Sequence, residues 1–171
     1  MIAYRVGMRL SRHRLPASAR DVLALERGER VLAFAPTRGG SHVVATSTAL
    51  HLPVVSGGTA RIPWERIEQA SWRDGRLRVQ EILGGPEHEI GLTDAGSVPE
   101  TVRERVTSTV VVNHQAPLPG GGSVRIAGRR PATGGEVRWS LQFDAGADPS
   151  DPGLRAQAEQ ILTELRERTG L

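Results

Sequence analysis

Apolar residues between positions 29 and 92 come in short runs with a period of two, and glycine or proline stands near most of the breaks. A period of two sends successive side chains to opposite faces of a strand, whereas a helix repeats every 3.6 residues. The predicted strands are Val31 to Ala35, His42 to Ser47, Ala49 to Val55, Thr59 to Ile62, a segment carrying Trp64, Ile67, Ala70 and Trp72, Arg76 to Leu83, and Glu87 to Leu92. In the third, Leu50, Leu52 and Val54 face one way and Ala49, His51 and Pro53 the other. Asp74-Gly75 predicts a tight hairpin turn, because both positions of such a turn need positive φ. The alternation slips by one residue at Ile82, which predicts a bulge there. This rhythm, with twenty glycines and eleven prolines, suits a β-rich chain better than a helical bundle.

The period then changes. Ser97 and Glu100 form a Ser-x-x-Glu capping box, and Val98, Val102 and Val106 recur every four residues, so a helix over 97–108 closes the seven strands. A shorter helix precedes them, with Ser18 as its cap, Asp21 three residues on, and Gly28 as its stop. Thr109 to Asn113 is a β-branched strand candidate. Val124 to Arg130 and Glu136 to Asp144 form a hairpin. Asp151 and Pro152 begin a last helix, Gly170 ends it, and Leu154, Ala158, Ile161, Leu162 and Leu165 make one apolar stripe. That stripe serves a core or an interface equally well. The expected class is α+β, mainly β. A basic arm spans 1–17, a seven-strand and helix domain 18–108, and a hairpin with a helix packed on it 109–171.

All 22 basic residues are arginine; the chain of 171 residues has neither lysine nor cysteine. Schiff-base lysines and Walker-type phosphate loops are thereby excluded, as are thiol nucleophiles, disulfides and thiolate zinc sites. The formal charge is +3, with a sequence pI of about 10.7, but its distribution is uneven. Residues 1–20 hold five arginines and no acid, residues 21–80 eight arginines and six acids, and residues 81–171 nine arginines and thirteen acids. The excess positive charge therefore belongs to the head of the chain.

In that head Ile2, Val6 and Leu10 share one helical face, and Arg5, Arg9 and Arg12 another. Two readings stand: an anchor to an anionic surface, lipid or nucleic acid, and a solvated terminus. No apolar run approaches the roughly 20 residues of a membrane span, and arginines interrupt any signal-peptide core. The expected place is the cytoplasm, at a membrane face if the arm engages lipid.

The further candidates are contacts to an anion or a partner: Arg38 after the first strand, Arg73, Arg76 and Arg78 across the Asp74-Gly75 turn, and Trp72 as a possible hot spot beside them. Six aromatics in the whole chain are few for stacking single-stranded bases, so another protein is the expected partner ahead of nucleic acid. Glu87-His88-Glu89 is the densest group of metal-ligand types, but strand neighbours diverge, so no metal site follows. No Gly-x-Ser-x-Gly elbow occurs. No cofactor and no catalysis are expected.

Several stretches carry a family likeness. They are Gly28-Glu29-Arg30-Val31-Leu32, the "ATxxxLxL" pattern in Val44-Ala45-Thr46-Ser47-Thr48-Ala49-Leu50-His51-Leu52, and the "IPWxxI…DGxLxV" pattern over Arg61 to Val79. With the seven strands and helix, residues 20–110 resemble bacterial pleckstrin-homology-like domains. The resemblance implies a barrel of about seven antiparallel strands closed by a helix, and a non-catalytic binding or scaffolding module in a bacterial cytoplasm. The alternative function is peripheral binding to an anionic surface through the arm. Eukaryotic members grip phosphoinositides with several Lys/Arg around the first hairpin loop. Here that loop offers Arg38 alone, with His42 nearby.

Overall fold

The structure, a computed structural model, describes residues 14–171. The predicted basic helix, with Arg5, Arg9 and Arg12, lies outside the described residues. Ten strands form three antiparallel sheets. The first sheet runs β1 (Val31–Pro36), β2 (His42–Thr46), β3 (Ala49–Pro53) and β4 (Thr59–Pro63) in chain order. The second runs β5 (Ile67–Arg73), β6 (Arg76–Glu81) and β7 (Glu87–Gly91). The third has the order β10 (Arg138–Phe143), β9 (Ser123–Arg129) and β8 (Val110–Pro117).

The protein is mainly β, as expected, but the seven strands do not close into a barrel. Pro63 has no amide hydrogen for a ladder, and a 3-10 turn over Trp64–Arg66 separates β4 from β5. At the other seam β1 and β7 meet through a single bridge, Thr37 with Leu92. One hydrophobic core fills the space between these two sheets. Ala35, Val43, Ala45, Leu50, Leu52, Ile62, Trp64, Ile67, Leu77 and Val79 supply it, and α2 (Val98–Thr109) plugs it with Val98, Val102 and Val106. Each fully buried aliphatic side chain of this kind contributes roughly 1.5–3 kcal/mol. The Trp64 indole N–H is satisfied by the Thr46 carbonyl at 3.0 Å.

The first sheet is buried on both faces. Leu15 and Ala19, from the segment around the five-residue helix α1 (Ala17–Asp21), cover Val44 on the outer side together with Leu23, Val31 and Phe34. Hence Ala49, Leu50, His51 and Leu52 are all inaccessible despite their alternation.

Three predicted helix ends do not form. Pro16, not Ser18, stands at the N-cap of α1, and the helix ends at Asp21 with Val22 as its C-cap, well short of Gly28, which lies in the following turn at φ 83°. Ser97 does precede α2, but at φ −92° and ψ 4° it lies outside the extended region a capping side chain needs, and its hydroxyl caps nothing. The predicted bulge at Ile82 is instead the end of β6. The irregularity falls on the partner strand, between Ile67 and Gln69.

The predicted C-terminal hairpin is a three-stranded sheet, because β8 continues past Asn113 through polar His114 and Gln115 to Pro117. Val112, Ala116, Val124, Ile126, Trp139, Leu141 and Phe143 form its apolar side. Against it packs α3 (Pro152–Thr169), through Leu154, Ala158, Ile161, Leu162 and Leu165. The apolar stripe is thus a core face. Asp151 caps α3 by accepting from the amides of Gly153 and Leu154, and Gly170 closes it with φ 68°. No helix of the described residues is long and apolar enough to cross a membrane.

α2 passes into β8 at Val110 without a loop. Arg129 pins this junction. Its guanidinium, almost wholly buried, donates to the carbonyls of Val106 (3.5 Å) and Glu68 (2.8 Å) and to the Thr109 hydroxyl (3.3 Å). Glu68 is the residue at the irregularity in β5, where the ladder is interrupted and its carbonyl is left to take a side-chain donor. Burial raises the Glu68 carboxyl above its ordinary range, against the opposing charges of Arg129 and Arg125.

Candidate functional site

The register of the second sheet decides where the predicted arginines go. Cross-strand partners share a face. Arg76 pairs with Arg73 and Gly91, and Arg78 with Ser71 and Glu89, so Arg73, Arg76 and Arg78 stand on the outer face. Arg38 joins them from the β1–β2 loop. That loop docks through its Arg38 amide onto the Gly91 carbonyl at 2.9 Å. The Arg38 side chain then lies across Gly91, where any Cβ would stand 2.9 Å from its Cδ, and its guanidinium reaches the Gly75 turn. The turn itself forms as predicted, with Asp74 at φ 52° and Gly75 at φ 73°.

Four arginines named from sequence are thus collected on one end and face of the molecule. Their charge is partly answered. Arg76 and Arg78 both pair with Glu89, Arg78 at 2.6 Å, and Arg76 above all holds the Glu89 carboxyl below its usual range. The sequence places Arg76 and Arg78 on one face, but only the register supplies their shared partner.

Trp72 faces the opposite way. It is paired with Leu77, on the core side of the sheet, yet it projects past the start of α2 and remains 39% exposed. With Ala70, Leu77, Pro99, Val102 and Arg103 it borders a notch of about 200 Å³. The partly exposed indole thus stands beside apolar neighbours, on the face of the sheet opposite Arg73, Arg76 and Arg78.

A second cluster escaped the sequence reading. Glu29 enters from the loop before β1 and is sealed against the outer face of the first sheet. Its Oε1 accepts from the Thr46 hydroxyl at 2.5 Å and lies 3.1 Å from His51 Nε2. Its Oε2 accepts from the Glu26 amide at 2.9 Å and from Arg61 Nε at 3.4 Å. Arg61 also reaches Glu26 at 2.9 Å and the Thr48 hydroxyl at 3.0 Å.

Burial alone would raise the Glu29 carboxyl. The hydrogen bonds from Thr46, Glu26 and His51 and the charge of Arg61 outweigh it and lower the value from 4.5 to about 2. Neither the Glu29 nor the His51 side chain has any solvent exposure, and His51 Nδ1 has no partner among the described residues. The one signal in sequence was a histidine between Ala49 and Pro53 on a face that had to be buried or satisfied. Chemically the group holds a charge in place; no substrate reaches it.

His88 faces the core side beside Val79, and its Nε2 lies 2.9 Å from Glu81, which also binds Arg66 at 2.8 Å. It is thus parted from Glu89, which serves the arginines on the other face. Among the described residues no three His, Asp or Glu side chains converge as a metal site. No family model, curated protein or solved structure matches the chain.

Proposed function

We propose that residues 18–108 are a pleckstrin-homology-like domain and that the chain is a non-catalytic binding module of the bacterial cytoplasm, with another protein as its partner. Four and three antiparallel strands in chain order around one core, plugged by α2, support the fold reading. The observation that carries the functional reading is Trp72. A large aromatic, half-open beside an apolar notch that Arg103 also borders, has the composition of an interface hot spot. The Glu29–His51 pair, 3.1 Å apart, is sealed from solvent, which favours a structural over a catalytic role for it.

The test compares the tagged full-length chain with two variants in its native host. A hot-spot tryptophan contributes about 2 kcal/mol or more, so Trp72→Ala reduces recovery of the partner at least roughly tenfold. Val55→Ser, at a fully exposed position away from the notch, leaves it unchanged. Equal recovery with Trp72→Ala overturns the placement. Flotation on anionic vesicles that is lost without residues 1–16 moves the function to the basic arm.

A further inference from the structure

The third sheet has an edge with no defence. Strand β10 is the outermost, and among the described residues no backbone or side-chain group bonds its outer edge. Sheets usually blunt such an edge with a bulge, a proline or a charge turned inward. The opposite edge strand, β8, has a register shift between Val110 and Val112 and ends in Pro117. Strand β10 pairs with β9 through six consecutive residues without a shift, contains no proline, and turns Trp139, Leu141 and Phe143 to one side.

Those three side chains are only half-buried, because the layer between sheet and α3 is open there. Together with Leu162 of α3 and Leu83 of the β6–β7 turn they line a groove of about 590 Å³. Leu83 is the odd member. It sits at φ 59°, a left-handed conformation that costs a residue with a Cβ energy, and it is 71% exposed, so burial returns nothing for that cost. The turn is held by the Gln80 amide donating to the Gly85 carbonyl at 2.7 Å, which keeps Leu83 presented to the groove.

The charges at this groove have one dominant sign. Arg155 and Arg166 line it with Glu159, which pairs with Arg155 at 3.9 Å. The surplus charge is that of Arg166, whose guanidinium lies 5.5 Å from the centre of the Trp139 ring at the rim. Arg138 stands on the other side of β10, opposite Arg129 in the ladder. An occupant must therefore be extended, apolar on alternate residues, and acidic. The chain's own arm does not qualify, since residues 1–13 carry Arg5, Arg9 and Arg12 and no acid. A second copy would bring another Arg155 and Arg166 to the same groove.

We infer that the β10–α3 groove docks an extended acidic segment of a partner protein, which adds to β10 as a fourth strand of the third sheet. Main-chain hydrogen bonds to β10 supply affinity, alternate apolar side chains fill the groove over Trp139, Leu141 and Leu83, and the arginines select the acid. This surface is separate from the Trp72 notch and stands or falls without it.

The probe is a fluorescent peptide of about nine residues alternating valine with glutamate, enough to span a strand. It is titrated by anisotropy against the full chain, beside a valine–lysine counterpart and a copy N-methylated on alternate amides. The acidic peptide binds at least about tenfold tighter than either control. Leu83→Asn, which suits the left-handed backbone and keeps the thermal midpoint, and Arg155→Glu each weaken binding about tenfold. Trp72→Ala leaves it unchanged, which separates this site from the notch.

Absent binding, equal binding of the lysine peptide, or full binding of the methylated one overturns the inference. So does an undiminished Leu83→Asn variant. A concentration-dependent dimer that Leu83→Asn dissolves, with no peptide bound, gives the edge to a second copy instead.

Discussion

Replacing Glu29 with glutamine keeps the shape of the side chain and removes its charge. The native carboxyl titrates at about 2 against an ordinary 4.5. A depressed acid stabilises the fold above the unfolded value, and that stability is lost as pH falls from 4.5 toward 2. The difference of 2.5 units corresponds to about 3 kcal/mol at pH 7, at 1.36 kcal/mol per unit, and no solvent reaches the side chain to screen it. Breaking a buried pair on one side costs a similar amount, since Arg61 and His51 keep their positions without the carboxylate.

With a urea dependence of roughly 2 kcal/mol per molar, Glu29→Gln moves the midpoint down by about 1.5 M at pH 7. At pH 3 the wild-type carboxyl retains only about 1.4 kcal/mol of its advantage, so the gap between the two proteins narrows to less than half. Urea melts of both proteins at both pH values make the comparison, and titration of the other acids cancels in the difference. A gap of the same size at pH 3, or no gap at pH 7, refutes the account of Glu29 as a buried charge held by its four donors.

Arg129→Ala leaves the carbonyls of Val106 and Glu68 without their donor and costs about 3 kcal/mol, with faster amide exchange in the last turn of α2 as its local sign. Arg129→Lys restores less than half of that loss, because a single ammonium cannot span carbonyls on two elements as a fork does. Asp151→Ala removes the acceptor for Gly153 and Leu154 and costs about 1 kcal/mol, read as a lower thermal midpoint at unchanged helix content.

The strands were legible because burial on at least one face imposes a period of two, and most predicted runs end within two residues of the observed strands. The last helix was legible at both ends, since Asp151, Pro152 and Gly170 act through local backbone chemistry. Ser97 shows the limit of that approach: the residue type was right, but its backbone was taken by a turn in which the Val98 amide bonds the Ala95 carbonyl.

What the sequence withheld was register. Glu29 and His51 lie 22 positions apart, and Arg78 meets Glu89 only because β6 and β7 align Gln80 with Glu87. The displaced bulge has the same origin, since alternation in β6 cannot say which strand of the pair absorbs the extra residue. Of the site, the arginines and Trp72 were visible as residue types. Their division between two faces of one sheet was not, and neither was the open groove beside β10, which exists only once α3 has been laid across the third sheet.

The passage from α2 into β8 leaves no slack in the backbone. A hinge needs a few residues free to change their dihedrals, and here the last helical residue, Thr109, is followed at once by Val110 in the ladder. The helix that stoppers one core and the strand that borders the other therefore form a single strut. Any load applied to the third sheet is carried straight to the first core, and a chain severed at this point would lose the arginine that ties off its own helix.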